Sequence, residues 1–340
     1  MSAALPGAGG DHDALLVVSF GGPEGPDDVM PFLDNVLRGR DVPDERKHEV
    51  AEQYQRFGGV SPLNGHNRRL VELLDAELDV PVYWGNRNWA PYLADAVAAM
   101  AADGVRRAAA FVTSAYGGFS ACRQYRDDIA AARTAVGAGA PEIDKLRLYF
   151  DHPGFIEPLA EHLRAARAEA GDDAPVLFSA HSIPASMAAG SYYEAQLRCV
   201  ARLVAARAGD PSWKLVWQSR SGPPQVPWLE PDVRDAIAEL AGAGHSAVVV
   251  APIGFTADHQ EVVFDLDTQA ADAAAAAGLR MVRARTPGHH PRFVRMVGEL
   301  LAERRGGPVL QLSEFPPGPP TCGLDGCCPP PAPRRRPTTG

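Results

Sequence analysis

Short apolar runs recur along the chain, and each is followed by a turn. Leu15–Val18 runs into Gly21–Gly22–Pro23, and Val176–Ala180 runs into His181–Ser182–Ile183–Pro184. Val82–Trp84, Ala108–Val112, Leu146–Phe150, Leu215–Gln218, Val248–Pro252 and Leu279–Arg283 are of the same kind. Runs this short, apolar on both faces, predict buried strands of a parallel sheet. Between them lie amphipathic stretches that predict helices, among them Glu45–Phe57, Asn67–Leu78 and Phe155–Ala170.

One unit occurs twice. Asp95–Met100, Gly104 and the run Ala108–Val112 reappear 140 residues later as Asp235–Leu240, Gly244 and Val248–Pro252. Each copy predicts a helix, a glycine turn and a buried strand, which is an α/β unit. The chain is therefore expected to form two similar Rossmann-like α/β halves, 12–152 and 153–310. Each would be a parallel four-stranded sheet with helices on both faces. Residues 1–11 are expected to be disordered. Residues 311–340 are too rich in proline to build a core and are expected to form a tail. Ligands of open parallel sheets sit beyond the carboxyl ends of the strands, and two facing halves leave a cleft. Residues just after the strands are the ones to inspect.

Composition narrows the picture. The chain has 340 residues, 46% of them hydrophobic, enough for a sizeable core. The formal net charge of −9 argues against a nucleic-acid partner. No run approaches the roughly 20 apolar residues of a membrane span, and Met1–Asp13 lacks the pattern of a secretory signal. A soluble, cytoplasmic and monomeric protein is expected. The five cysteines do not form a disulfide framework. Cys322, Cys327 and Cys328 crowd the tail, far from Cys122 and Cys199, and in a cytosolic chain this suggests metal before disulfide.

Two strand ends in the second half carry unusual polar groups. His181 directly follows one strand. Asp258–His259–Gln260–Glu261 follows another, with Asp265 and Asp267 beyond. An imidazole can accept a proton near neutral pH, and a row of carboxylates can hold and pass a divalent ion. That combination suits insertion of a metal into a macrocycle, where two pyrrole N–H protons leave as the ion arrives. Against this stands a plainer reading. A lone histidine after a strand is often a structural hydrogen-bonder, and acids at helical spacing often form a solvated face. Gly21–Gly22–Pro23 and Gly58–Gly59 match no phosphate-binding motif and fit tight turns. Ser114, Ser179 and Ser182 lack the frame of a hydrolase nucleophile.

At these residues the chain resembles the ferrochelatase family. Ser179–Ala–His181–Ser–Ile–Pro184 resembles the family's catalytic histidine motif, and Asp258–Asp267 resembles its acidic stretch. Leu16–Glu24, Glu52–Pro62, Gly85–Pro91, Val216–Ser219 and Val226–Pro231 resemble further family segments, so the likeness covers nearly the whole folded chain. The resemblance implies a chelatase-like fold with a porphyrin between the halves. It implies His181 as the base, Glu261 facing it across the macrocycle, and both with Asp265 and Asp267 receiving or relaying ferrous iron along a π-distorted helix. It places the porphyrin against the rings of Phe20, Trp89, Phe119, Tyr125 and Trp217. It adds Arg38, Ser61, Asn86 and Arg87 as polar contacts, with arginine and tyrosine meeting the propionates.

Within the family, the coproporphyrin-type enzymes of actinobacteria are the nearest likeness. Cys122, Cys322, Cys327 and Cys328 resemble the four ligands of a 2Fe–2S cluster, although the tail spacing is one residue longer. Cys199 would be a buried spectator. Phe20 and Phe119 stand where many coproporphyrin-type enzymes carry a tyrosine that binds product iron, and a phenyl ring cannot ligate iron. The implied substrates are coproporphyrin III and ferrous iron, with the product passing to a downstream coproheme decarboxylase. Two alternatives remain: the same chemistry on protoporphyrin IX, and a porphyrin-binding or Fe–S-sensing protein without turnover.

Overall fold

The computed structural model describes residues 12–39, 42–222, 225–316 and 328. Eight parallel strands form two four-stranded sheets. The first contains β1 (Ala14–Ser19), β2 (Val82–Asn86), β3 (Arg107–Val112) and β4 (Glu142–Lys145) in the order β2-β1-β3-β4. The second contains β5 (Val176–His181), β6 (Trp213–Gln218), β7 (Ala247–Ala251) and β8 (Arg280–Arg283) in the matching order β6-β5-β7-β8. The two orders are identical when the second is read from β5.

The repeat seen in the sequence is a repeat of structure. Helix Leu93–Ala102 has its counterpart in Val233–Gly242, shifted by 140 residues at both ends. Both helices end on a glycine in the left-handed region, Gly104 at φ +79° and Gly244 at φ +85°. Past each glycine the chain donates back into the last turn: Val105 N to Met100 O at 3.0 Å, and His245 N to Leu240 O at 3.1 Å. This is a Schellman ending, in which glycine avoids the Cβ clash of a positive φ.

Alternate residues of each inner strand face two different layers. Leu15, Val17 and Phe111 of one sheet join Phe178, Val249 and Ala251 of the other in one continuous core. Phe155, Ile156, Leu159 and Leu163 of helix Pro153–Ala170 fill that core. Leu16 and Val18 face outward onto Leu93, Val97 and Met100, and Val248 and Val250 onto Ile237 and Leu266. Burial on both faces explains the unbroken apolar runs, and each fully buried Leu or Phe side chain contributes about 1.5–3 kcal/mol.

One expected strand is corrected. Leu146–Phe150 is not a strand; the edge strand is the polar stretch just before it, Glu142–Lys145. An edge strand is covered less than a central one, so charge is tolerated there. Asp144 uses that freedom to accept from Arg107 at 2.6 Å and to pair with Arg304 at 3.1 Å. The apolar run then leaves the sheet, and Leu146, Tyr149 and Phe150 enter the central core.

The carboxyl ends of the two sheets meet. Thr256 Oγ1, beyond β7, donates to Thr113 O beyond β3 at 3.0 Å, and Tyr116 Oη donates to Ile253 O at 2.7 Å. Phe57 of the first half lies edge-on to Phe264 of the second, 6.4 Å between centroids. Among the described residues, no helix is long and apolar enough to cross a membrane.

Candidate active site

His181 is the last residue of β5. Its main chain is held by Tyr193, whose hydroxyl donates to His181 O at 3.0 Å. The next residue is held too: Ser182 N donates to Gln218 O at 2.8 Å and Ser182 Oγ to Leu229 O at 2.9 Å. The imidazole Nδ1 lies 2.5 Å from Ser182 O. A carbonyl only accepts, so Nδ1 carries a hydrogen, and in the neutral ring Nε2 is the atom left to accept a proton. Nε2 faces Glu261 Oε2 at 3.7 Å, beyond a hydrogen bond. Base and carboxylate thus oppose one another without closing on each other.

Glu261 stands in the short helix Gln260–Val262, which continues as a π-wound segment over Val263–Ala270. A π segment occupies the corresponding place after β3, at Phe119–Arg123. Such segments are rare and frequent at functional sites. Asp265 lies one turn beyond Glu261 and accepts from the Ser219 hydroxyl. Burial pushes the Asp265 carboxyl up to about 6; the Ser219 hydroxyl opposes that shift and the neighbouring charge of Glu261 adds to it. Ser219 sits at φ +61°, a strained backbone for a residue with a Cβ, and such strain collects at functional sites. His259 packs its ring edge-on against Phe255 at 5.1 Å, and burial lowers its pKa, keeping it neutral. From the first half, buried Tyr54 lies within electrostatic reach of Glu261; burial first and then that charge hold its hydroxyl in the protonated form.

Asp267 does not join this group. Two residues along a helix is about half a turn, so Asp265 and Asp267 leave on opposite sides. Asp267 turns away from the cleft and accepts from Arg283 at 2.5 Å. Among the described residues, no group of three or more His, Cys, Asp or Glu side chains forms a ready metal cage.

The expected porphyrin contacts divide by burial. Fully buried Phe32 organises an aromatic wall, with Phe20, Tyr54 and Trp89 edge-on to it at 6.3, 5.8 and 6.4 Å. Phe20 is 37% exposed, and Trp89 and Phe119 are half-buried. Arg87 lies over the rings of Tyr125 at 4.6 Å and Phe20 at 5.9 Å and donates to Asp128. Arg38 is exposed and donates to Asn35 Oδ1 at 2.5 Å. Four residues are buried instead. Ser61 packs where a Cβ on Gly22 would stand, 2.6 Å away. Asn86 donates to Asn64 Oδ1 and to Ala90 O, both at 3.1 Å. Tyr125 lies beneath Arg87, and Trp217 packs on Tyr193 at 6.1 Å. All four are largely covered by protein in this structure. Phe32 carries no sequence signal of its own. Tyr54 and Ser219 lie in the family-like segments Glu52–Pro62 and Val216–Ser219, but neither is expected from the sequence to act at the site: Tyr54 reads as core, and Ser219 is marked further only by its place just after β6.

Cys122 is buried in the π segment after β3, and Cys199 is buried in helix Tyr193–Arg207. Cys328 is described, whereas Cys322 and Cys327 lie outside the described residues. The start of the tail is anchored: Leu312 N donates to Asp151 O at 2.9 Å, and Phe315 packs on Phe150 at 5.5 Å and Tyr192 at 6.3 Å.

Two parallel sheets meeting at their carboxyl ends, with an imidazole and a carboxylate opposed in the cleft, define a chelatase-type protein. SirB from Bacillus subtilis with Fe3+ matches the fold with a TM-score of 0.56 at 12% identity, over 87% of this chain and 98% of that one. DR2241 from Deinococcus radiodurans, a multi-domain protein described as similar in structure to chelatases, matches with a TM-score of 0.53 at 17% identity, over 87% and 56%. At these identities the likeness is one of fold. Sequence takes the assignment further. Residues 12–305 match the family model described as Ferrochelatase. The chain is 55% identical over 349 residues to the coproporphyrin III ferrochelatase of Frankia alni, covering 97% of this chain and 89% of that one. It is 56% identical over 300 residues to the coproporphyrin III ferrochelatase of Mycobacterium tuberculosis, covering 87% of each. The chain belongs to the ferrochelatase family.

Proposed function

We propose that this enzyme inserts ferrous iron into coproporphyrin III, with His181 and Glu261 managing the two protons that leave. The observation that carries this is the pair itself: Nε2 of His181, freed by the Nδ1 contact to Ser182 O, opposes Glu261 at 3.7 Å. Insertion replaces two pyrrole N–H bonds by bonds to the metal and releases two protons. His181 Nε2 accepts one and the Glu261 carboxylate the other. Asp265 ionises near neutral pH and is suited to receive a proton or hold the entering ion. Asp267 is paired with Arg283 and takes no direct part. Of the aromatic cluster, Phe20 and Trp89 keep ring surface accessible to a macrocycle. Arg38 offers an exposed cation for a propionate, whereas Arg87 is already paired with Asp128. The product would then pass to a coproheme decarboxylase.

The names of the relatives favour coproporphyrin III over protoporphyrin IX, and substrate chemistry gives the test. Each charge-assisted hydrogen bond contributes about 1.5–3 kcal/mol, and coproporphyrin carries four propionates to protoporphyrin's two. The kcat/KM for coproporphyrin III is expected to exceed that for protoporphyrin IX by at least roughly tenfold, or about 1.4 kcal/mol. Equal or reversed preference in a turnover assay would move the assignment to protoporphyrin. Porphyrin binding without any turnover would leave a binding or sensing protein.

A 2Fe–2S cluster held by Cys122, Cys322, Cys327 and Cys328 is part of the same proposal. Four thiolates suit such a cluster, which supplies one-electron chemistry and a covalent tie. Two features support the fit. Cys122 lies in the turn after Gly118, a glycine whose Cβ would stand 4.0 Å from Tyr193. The tail starts beside the neighbouring residue, Tyr192. Anaerobically purified protein is expected to be brown, with iron and acid-labile sulfide. Cys122→Ser should bleach it, while Cys199→Ser should not. A colourless preparation with stoichiometric zinc would replace the cluster by a zinc site.

A further inference from the structure

We propose that Arg283 is a positioning residue for metal insertion: its guanidinium clamps both ends of the segment that carries Glu261 and Asp265. The inference rests on the assignment of those two acids to the insertion chemistry.

Arg283 is the last residue of β8, at the strand end where this fold places functional groups. It donates through Nη1 and Nη2 to Asp258 at 3.2 and 2.8 Å. It also donates through Nε and Nη2 to Asp267 at 2.5 and 3.1 Å. Thr286 adds a bond to Asp258 Oδ1 at 3.0 Å. One planar fork therefore holds two carboxylates nine residues apart in sequence. Asp258 precedes the helical segment and Asp267 lies inside its π-wound part. Glu261 and Asp265 stand between the two anchors and point the other way.

The clamp answers a physical need. A π-wound stretch is rare and mostly a single turn inside an α-helix, so the 8 residues Val263–Ala270 gain from outside support. Without the clamp, rewinding toward α geometry would rotate Asp265 away from Ser219 and Glu261 away from His181. The guanidinium is largely shielded, its side chain 18% exposed beside Asp258 at 21%, so the bonds are less weakened by water than a surface pair. Only arginine has the donors to serve both carboxylates in one plane; lysine is a point charge. By resemblance, Asp267 is expected to relay metal. The clamp gives that acid a different task.

The test compares Arg283→Met, Arg283→Lys and Asp267→Asn with Arg280→Met as control. Arg280 lies on the same strand and pairs with exposed Glu169. Hydrogen–deuterium exchange is read over residues 259–267, alongside kcat and KM for both substrates. Arg283→Met should speed exchange in that segment alone. It should lower kcat by about 10–100-fold, the cost of small misplacement at a reacting centre, with porphyrin KM within about threefold. Arg283→Lys and Asp267→Asn should fall between it and wild type. Arg280→Met should change neither readout. Unchanged exchange in Arg283→Met and Arg283→Lys would overturn the clamp whether or not the wild-type protein turns over. Faster exchange with wild-type kcat would overturn the positioning role. A wild-type protein with no turnover would refute the proposed reaction, and exchange would still decide the clamp.

Discussion

His181→Ala is expected to lower kcat for iron insertion by about 10²–10⁴-fold, the usual contribution of a positioned acid–base group. Porphyrin KM should stay within about threefold, because the proposed binding surface is the ring surface of Phe20 and Trp89 and not an imidazole a third exposed. The structure makes this a clean deletion. The contacts that fix the strand end belong to the main chain: Tyr193 Oη to His181 O, and Ser182 N to Gln218 O. Alanine keeps both. The melting temperature should therefore barely move, and the loss should lie in the chemical step. Porphyrin binding read by absorbance, beside single-turnover insertion, separates the two effects. Turnover within a few-fold of wild type would remove His181 from the reaction.

Sequence and structure agree where burial alone sets the pattern. β1, β3, β5 and β7 are covered on both faces, so each is an apolar run that can be read without tertiary knowledge. The exact recurrence of helix Leu93–Ala102 as Val233–Gly242 then set the plan of two similar sheets. β4 escaped notice because an edge strand needs no apolar run, and the run beside it serves the central core. At the site, the strand-end rule points to His181 and Glu261, which the structure brings within 3.7 Å of each other. It could not find the phase of the helix. The distinction between Asp265 and Asp267 depends on which side each side chain leaves, and on an arginine from a distant strand. The burial of Asn86 and Trp217 was hidden for a similar reason. Both stand inside family-like segments, and only packing decides whether such a residue is exposed or covered.

Glu261→Gln is expected to be the second large loss, about 10²-fold or more in kcat, with bound porphyrin still visible by absorbance. The substitution keeps the size of the side chain and removes its charge. Glutamine cannot accept the second pyrrole proton, and it offers a divalent ion only a weak carbonyl ligand. A second consequence separates this variant from a general disturbance of the cleft. The charge of Glu261 helps raise Asp265 to about 6. Without it, Asp265 must ionise at lower pH, because an acid loses its proton more readily once a neighbouring negative charge is gone. The pKa of Asp265, followed by NMR titration of its carboxyl carbon, should therefore fall in Glu261→Gln and hold in His259→Asn. Burial and the Ser219 contact would remain, so the fall should be partial. Normal turnover in Glu261→Gln would show the acidic row to be a solvated face. Collapsed turnover with an unmoved Asp265 would show that the two carboxylates act independently.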